Sequence, residues 1–294
     1  VGATIPAKQV VMGSANNSLA NFRFTETTNV EPIKINTLII TATSSNSGTR
    51  PSFQNAKLYN GSTMVAGPVS ASSTVAAGGS WAYVFNFATA PVVPQNGSLE
   101  LQLKGDVIAN SQANASSNAV YTFKDASSVT DITALGQGSN TALTSSTITL
   151  SPTIGVSGNA LTVVRSKLTL SAIALGSASS RTRNANDDLA TLNFVADSAD
   201  PVSINTVTLT FQGSAVSIGT TVTVKLIDSS GSNWQNGSAQ TCITGTQNSC
   251  SVAFTYTGAD IKTISAGATE SVKVQVNSSA FYDAANSSDS LSAF

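Results

Sequence analysis

The sequence predicts an all-β protein made of two tandem immunoglobulin-like β-sandwich domains joined by a partly ordered, β-rich connector. Three observations carry this reading. Apolar residues alternate with period two along most of the chain and with a helical period almost nowhere. Turn clusters of Gly, Asn, Asp and Ser separate the alternating runs. One long pattern also occurs twice: EPIKINTLIIT begins at Glu31 and DPVSINTVTLT begins at Asp200. A chain of 294 residues is long enough for two domains, each burying its own core.

In the second copy the strands are predicted at residues 167–175, 189–195, 202–211, 221–227, 240–244, 249–256 and 270–276. Seven short strands with turn signals between them fit a sandwich of two antiparallel sheets. The first copy lies over the second with short loop changes: LANF (19–22) on LATLNF (189–194), AKLYNGS from Ala56 on VKLIDSS from Val224, and SLELQLKGD from Ser98 on SVKVQVNSS from Ser271. Leu99, Leu101 and Leu103 then alternate as Val272, Val274 and Val276 do, and Tyr83, Phe85 and Phe87 stand where Val252, Phe254 and Tyr256 stand. A kept alternation fixes one face of a strand on a core.

Inside the repeated pattern the alternation changes phase at one place in both copies. Ile33 and Ile35 are followed by Leu38 and Ile40, and Val202 and Ile204 by Val207, Leu209 and Phe211. One face keeps all of these residues only if an extra residue is inserted, which predicts a β-bulge at Asn36-Thr37 and at Asn205-Thr206.

The domain boundaries read as residues 1–125 for the first sandwich, 126–165 for the connector and 166–294 for the second. The connector carries β-like runs at 147–150 and 161–164, so a strap with its own order is expected. NASSNAVYTF, ending at Phe123, resembles NSSDSLSAF, ending at Phe294, and the chain reads as part of a longer repeat array. At the other end, VGATIPAKQVVMG alternates at Val1, Ala3, Ile5 and Ala7 and is interrupted by Pro6. Proline belongs on an edge or at a bulge. The segment therefore reads either as the first strand of its own sandwich or as an edge strand that pairs with a neighbour.

Composition narrows the function. Only 10% of residues are charged, with 14 basic against 15 acidic side chains and no histidine, whereas Ser and Thr together number 81. No basic footprint exists for nucleic acid or an anionic membrane surface. No apolar run approaches the roughly 20 residues of a membrane-spanning helix. Without histidine there is no ordinary Ser or Cys triad, and hydroxyl propensity for strands and turns explains the serines, so the chain reads as a non-enzyme without a cofactor.

Cys242 and Cys250 flank the turn-rich ITGTQNS, a spacing that suits a disulfide across a hairpin; two reduced structural thiols are the alternative. Two cysteines without histidine cannot complete a four-ligand zinc site. The densest polar cluster is RTRNANDDLA (181–190). There Asn184, Asn186, Asp187 and Asp188, with Asp197 and Asp200 near the next turn, offer oxygen ligands of the kind calcium takes. The spacing is not that of an EF-hand and the two arginines compete for the carboxylates, so a solvated turn loop is the favoured reading. Asn-x-Ser sequons at Asn16, Asn60, Asn96, Asn114, Asn236, Asn277 and Asn286 lie in or beside predicted turns and are candidates for glycosylation. Trp81, Tyr83, Phe85 and Phe87 suggest either a sugar-binding platform or core; their shared face favours core. Lys57 and Lys225, matched as AKL and VKL, raise an intramolecular Lys–Asn isopeptide bond, but both alternate with inward apolar residues and are expected to face solvent.

LATLNFVADSADPVSINTVTLTF, the short KLYNGST strand and the closing SLELQLKGD strand resemble repeat domains of secreted bacterial envelope proteins. They are similar to those of surface-layer-like and pilus- or filament-forming proteins of the kind seen in candidate-phyla bacteria. The resemblance implies an extracellular, cell-surface scaffold and transfers no catalytic residue. Two functions follow from it: a structural subunit that polymerises with copies of itself, or an adhesin stalk displaying a module for a glycan or protein ligand. A repeated, catalytically blank sandwich leads to the same class, because it sets spacing and offers sheet edges to neighbours.

Overall fold

A computed structural model describes residues 5–45, 52–72, 80–112, 115–125, 129–149, 159–174, 185–214, 221–235, 237–243, 249–278 and 290–293. The chain divides into two compact units, Val1–Arg165 and Ser166–Phe294. Both are built of β-strands.

Unit 1 contains β1 (Lys8–Val11), β2 (Asn17–Thr25), β3 (Ile33–Ser44), β4 (Phe53–Asn60), β5 (Thr63–Val69), β6 (Ser80–Asn86), β7 (Val92–Val93), β8 (Ser98–Val107), β9 (Val120–Asp125), β10 (Ile132–Gly136) and β11 (Leu161–Val164). One sheet has the order β2-β8-β4-β5. The other is organised around β3, which pairs with β9 and β10 and, across its opposite side, with β6 and β7. β11 continues this sheet beyond β9, and β1 adds to β11 in parallel. Leu101 and Leu103 of β8 share one buried cluster with Leu38 and Ile40 of β3 and Tyr83 and Phe85 of β6. Phe53 meets Tyr121 and Phe123 edge-on, with ring centroids 5.2 and 5.3 Å apart. β4 and β5 are joined through Gly61 and Ser62, where Gly61 takes a φ of +59° that an L side chain rarely adopts.

Unit 2 contains β12 (Leu168–Ala174), β13 (Asp187–Ala196), β14 (Val202–Ile204), β15 (Thr206–Ser214), β16 (Thr221–Ile227), β17 (Gln240–Ile243), β18 (Ser249–Thr255), β19 (Lys262–Ile264), β20 (Thr269–Val276) and β21 (Ser290–Ala293). Its larger sheet has the order β12-β13-β20-β16-β17; β15 pairs with β18 and β21, and β14 with β19. Partner by partner this repeats unit 1. β13, β20, β16 and β17 stand for β2, β8, β4 and β5, and β18, β19 and β21 stand for β6, β7 and β9. The seven predicted strands all form, and the short β19 and β21 add to them.

The phase change has a visible cause in each unit. In unit 1, Thr133 of β10 faces Thr37 and Ala134 faces Ile35, so Asn36 is the extra residue of a bulge. In unit 2 the expected bulge is instead a break: β14 ends at Ile204 and β15 starts at Thr206, because the two segments pair with different strands, β19 and β18. The asparagine carbonyl does the same work in both units. It accepts the Phe87 N–H at 3.0 Å from Asn36 and the Tyr256 N–H at 2.7 Å from Asn205.

A second shared bulge was not expected. Ser18 faces Lys104 and Ala20 faces Leu103, leaving Leu19 extra; likewise Asp188 faces Gln275 and Ala190 faces Val274, leaving Leu189 extra. These registers align Leu103 with Val274. The sequence alignment of SLELQLKGD on SVKVQVNSS is therefore displaced by two residues, a slip that preserves every face and is invisible to an alternation argument.

The segment 126–165 is also not the separate strap expected from its sequence. It supplies β10 and β11 to the β3 sheet, and the run at 147–150 does not form a strand: its described part closes a turn in which Thr147 Oγ1 donates to the Thr144 carbonyl at 3.0 Å. At the start of the chain, Val1–Thr4 lies outside the described residues. Ile5 accepts a hydrogen bond from Asn159 Nδ2 at 2.7 Å, and β1 completes its own unit as an edge strand beside β11.

Candidate assembly edges

The most elaborately bonded carboxylates hold turns together. Glu31 follows β2 and accepts the Gly138 and Ser139 N–H groups at 2.7 and 2.9 Å and the Ser139 hydroxyl at 2.6 Å. These bonds, the Ser139 hydroxyl foremost, hold its pKa below the usual glutamate range. Glu26 accepts the Thr28 hydroxyl and the N–H groups of Thr28, Asn29 and Asn96, which lower its pKa in the same way. Burial works to raise the pKa of Asp106, and the Asn16 N–H, the Asn55 amide and the Lys57 charge outweigh it. Asp228 caps its own turn through Ser230 and Ser232. Sequence reasoning passed over Glu31, although an acid stands at its matched position, Asp200, directly before the shared proline.

The calcium candidates are distributed along one strand. Asp187 and Asp188 open β13, and Asp188 is held by Lys273 and Gln275, each at 2.9 Å. Asp197 and Asp200 lie past its far end, about 30 Å away at about 3.3 Å per residue. There Asp197 accepts the Ala199 N–H and the Asp200 carbonyl accepts the Ser166 hydroxyl. The strand thus keeps the two pairs apart, and Asn184 lies outside the described residues. Among the described residues no three His, Cys, Asp or Glu side chains gather.

Lys225 Nζ reaches to 3.4 Å from Asn186 Oδ1 at an open cavity of about 210 Å³, also lined by Thr223, Gln275 and Asn277. The contact is exposed and made to the carboxamide oxygen. An isopeptide bond requires the nitrogen at the carbon, in a site closed to water.

Asn16, Asn60 and Asn96 are exposed and lie at turns. Asn277 follows β20, and its N–H donates to the Thr223 carbonyl. Asn114, Asn236 and Asn286 lie outside the described residues. Trp81, Tyr83 and Phe85 are fully buried, which makes this strand core and not a platform. Cys250 is 9% exposed and is not a free thiol; the side chain of Cys242 lies outside the described residues. Their strands do not form a hairpin as expected: β17 pairs with β16 and β18 with β15. A bond between the two cysteines would therefore tie one sheet to the other.

With the best-connected carboxylates engaged in turns, the sheet edges are the features that distinguish the units. In unit 2 the outer side of β13 is filled by β12, from Leu168 opposite Ala196 to Ala174 opposite Ala190 without a register shift. In unit 1 the counterpart of β13 is β2, and no described strand pairs with its outer side. Phe24 is accordingly only partly buried, whereas its counterpart Phe194 is 3% exposed. The outer side of β12 is equally bare of described partners, and Leu170 and Ile173 on this strand are 56% and 54% exposed.

No family model and no curated protein match the chain. Solved structures similar to it include the C-terminal domain of the AgI/II polypeptide BspA from Streptococcus agalactiae, at 8% identity over 93% of this chain and 87% of that one, with a TM-score of 0.24. They also include BcpA, the major pilin subunit of Bacillus cereus, at 9% identity, 90% and 62% coverage and a TM-score of 0.19. The CupB6 tip adhesin from Pseudomonas aeruginosa is similar at 7% identity, 99% and 92% coverage and a TM-score of 0.19. At these scores the likenesses carry no argument about this chain, whose all-β character rests on its own strands.

Proposed function

We propose that the chain is a structural subunit of an extracellular bacterial assembly, a surface layer or pilus-like filament, that acts through self-association. The observation that carries this reading is the repetition of one sandwich whose best-connected carboxylates are consumed in turns while, among the described residues, strand edges in both units have no partner strand. A Ser/Thr-rich surface with little charge adds few of the repulsive groups that keep edges apart. A disulfide between Cys242 and Cys250 belongs to the same reading, since such bonds persist outside the reducing cytosol. Electron microscopy and sedimentation of the purified chain test it. Sheets or filaments are expected; monomers that instead capture a glycan or protein surface would establish the adhesin.

A further inference from the structure

We propose that the outer edge of β12 pairs with the open edge of β2 in a second copy of this chain, so that copies join head to tail through one continuous sheet. This inference rests on the structural-subunit reading and specifies the contact it needs.

The acceptor is defined by the internal repeat. β13 and β2 share the bulge at Leu189 and Leu19, the central partner strand, and inward residues at matching places: Ala190, Leu192 and Phe194 against Ala20, Phe22 and Phe24. The described residues therefore contain one example of this strand with its outer edge filled and one with no strand on it. The filled case shows that such an edge takes an extended LTLSAIA segment over its whole length. In the case without a described partner, Phe24 is only partly buried.

The donor is defined by what it lacks. Sheet edges are commonly guarded by charge, proline or a bulge. β5 carries Pro68 and two register shifts against β4, and β1 opens on Lys8 just after Pro6. From Leu168 to Ala174, β12 has no charge, no proline and no register shift. Leu170 lies opposite Phe194 and so points to the inner face, yet more than half of it remains in water. Ile173, on the other face, is exposed to the same degree. On β2, Arg23 is the one charge between Ala20 and Thr25. Donor and acceptor are different strands in different units, so the contact is heterologous. It leaves a free edge at each end of a pair and propagates from copy to copy.

The test uses two full-length variants, Ile173→Lys on β12 and Thr25→Lys on β2. Each places a charge on an exposed position of one edge, and unchanged melting verifies the fold. We expect wild type to assemble and each variant alone to associate roughly tenfold more weakly or worse. Mixed one to one, the variants should form dimers and nothing larger, because one intact β12 then meets one intact β2. Wild-type assembly with either variant assembling equally well would overturn the edge contact while leaving the structural reading in place. A wild type that stays monomeric at its highest soluble concentration would overturn both. If a variant fails to fold, a synthetic peptide of residues 166–176 added to wild type replaces it: shortened assemblies support the contact, and unaltered assemblies overturn it.

Discussion

In unit 1, Trp81 of β6 lies opposite Ala42 of β3, whereas in unit 2 the same two positions hold Cys250 and Phe211. The bulk has moved across the pair, and all four residues are buried in both versions. Unit 2 recovers an aromatic centre elsewhere. The turn after β16 is longer than the Gly61-Ser62 turn after β4, and it folds back so that the Trp234 N–H donates to the Leu226 carbonyl at 2.7 Å. Trp234 then stacks on Phe194 at 5.4 Å and meets Tyr256 edge-on at 5.3 Å. Core volume is conserved by exchange between neighbours, so residue identity drifts while the pairing pattern stays. Edges obey no such compensation, and it is there, at β2 against β13 and at β1 and β11 against β12, that the two copies diverge.

The two tryptophans of the chain lie one in each core, so their fluorescence reports the units separately. The largest effect is expected for Phe211→Ala, which should cost unit 2 about 3–5 kcal/mol and move the Trp234 transition in denaturant while leaving that of Trp81 in place. The reciprocal change Ala42→Phe should cost unit 1 about 1–3 kcal/mol by overpacking, and adding Trp81→Cys, followed by circular dichroism because it removes the unit 1 fluorophore, should recover part of that loss. Movement of both transitions by either change would show that the cores are not independent.

A bond between Cys242 and Cys250 would stabilise unit 2 alone. Reduction is expected to lower the Trp234 transition by about 2–4 kcal/mol and leave Trp81 unaffected. Alkylation of unreduced protein, followed by mass analysis, should find no reactive thiol.

Acid should act more gently and chiefly on unit 1, whose turns are closed by Glu26 and Glu31. Their pKa values lie below those of the unfolded chain. The stabilisation is therefore fully present at neutral pH and is lost as pH falls through the folded values, below the usual glutamate value of about 4.3. Melting of Glu31→Gln should be lower than wild type at neutral pH and converge with it in acid. Gly136→Ala should imitate the variant, because a Cβ there would lie 2.2 Å from Glu31 Oε1. The smallest effect is expected at the exposed contact between Lys225 and Asn186: Lys225→Met should change stability by no more than about 0.5 kcal/mol, and the wild-type mass should show no loss of ammonia.

The strands, the repeat and the phase change at Asn36 and Asn205 were legible in the sequence because period-two patterns record which face is buried. What the pattern cannot record is displacement by an even number of residues, hence the two-residue slip at β8 and β20. Nor does it tell which neighbour a strand takes. β17 and β18 look like a hairpin along the chain and belong to different sheets, and residues 132–136 and 161–164 look like a connector and complete the β3 sheet. Among the candidate sites, the acids of β13 read as one cluster because turns bring residues close in sequence; the strand between Asp188 and Asp197 separates them. The edge of β2, which no described strand covers, had no signature at all, since a missing partner leaves no residue to read.

Amide hydrogen exchange compares the two edges most directly. In dilute, monomeric protein the outward N–H groups of β13 should be protected by β12, whereas those of Phe22 to Thr25 on β2 should exchange freely; on assembly the β2 amides should become protected as well. Equal protection of the two strands in the monomer, or β2 amides that still exchange freely in the assembled protein, would contradict the assignment of β2 as the receiving edge.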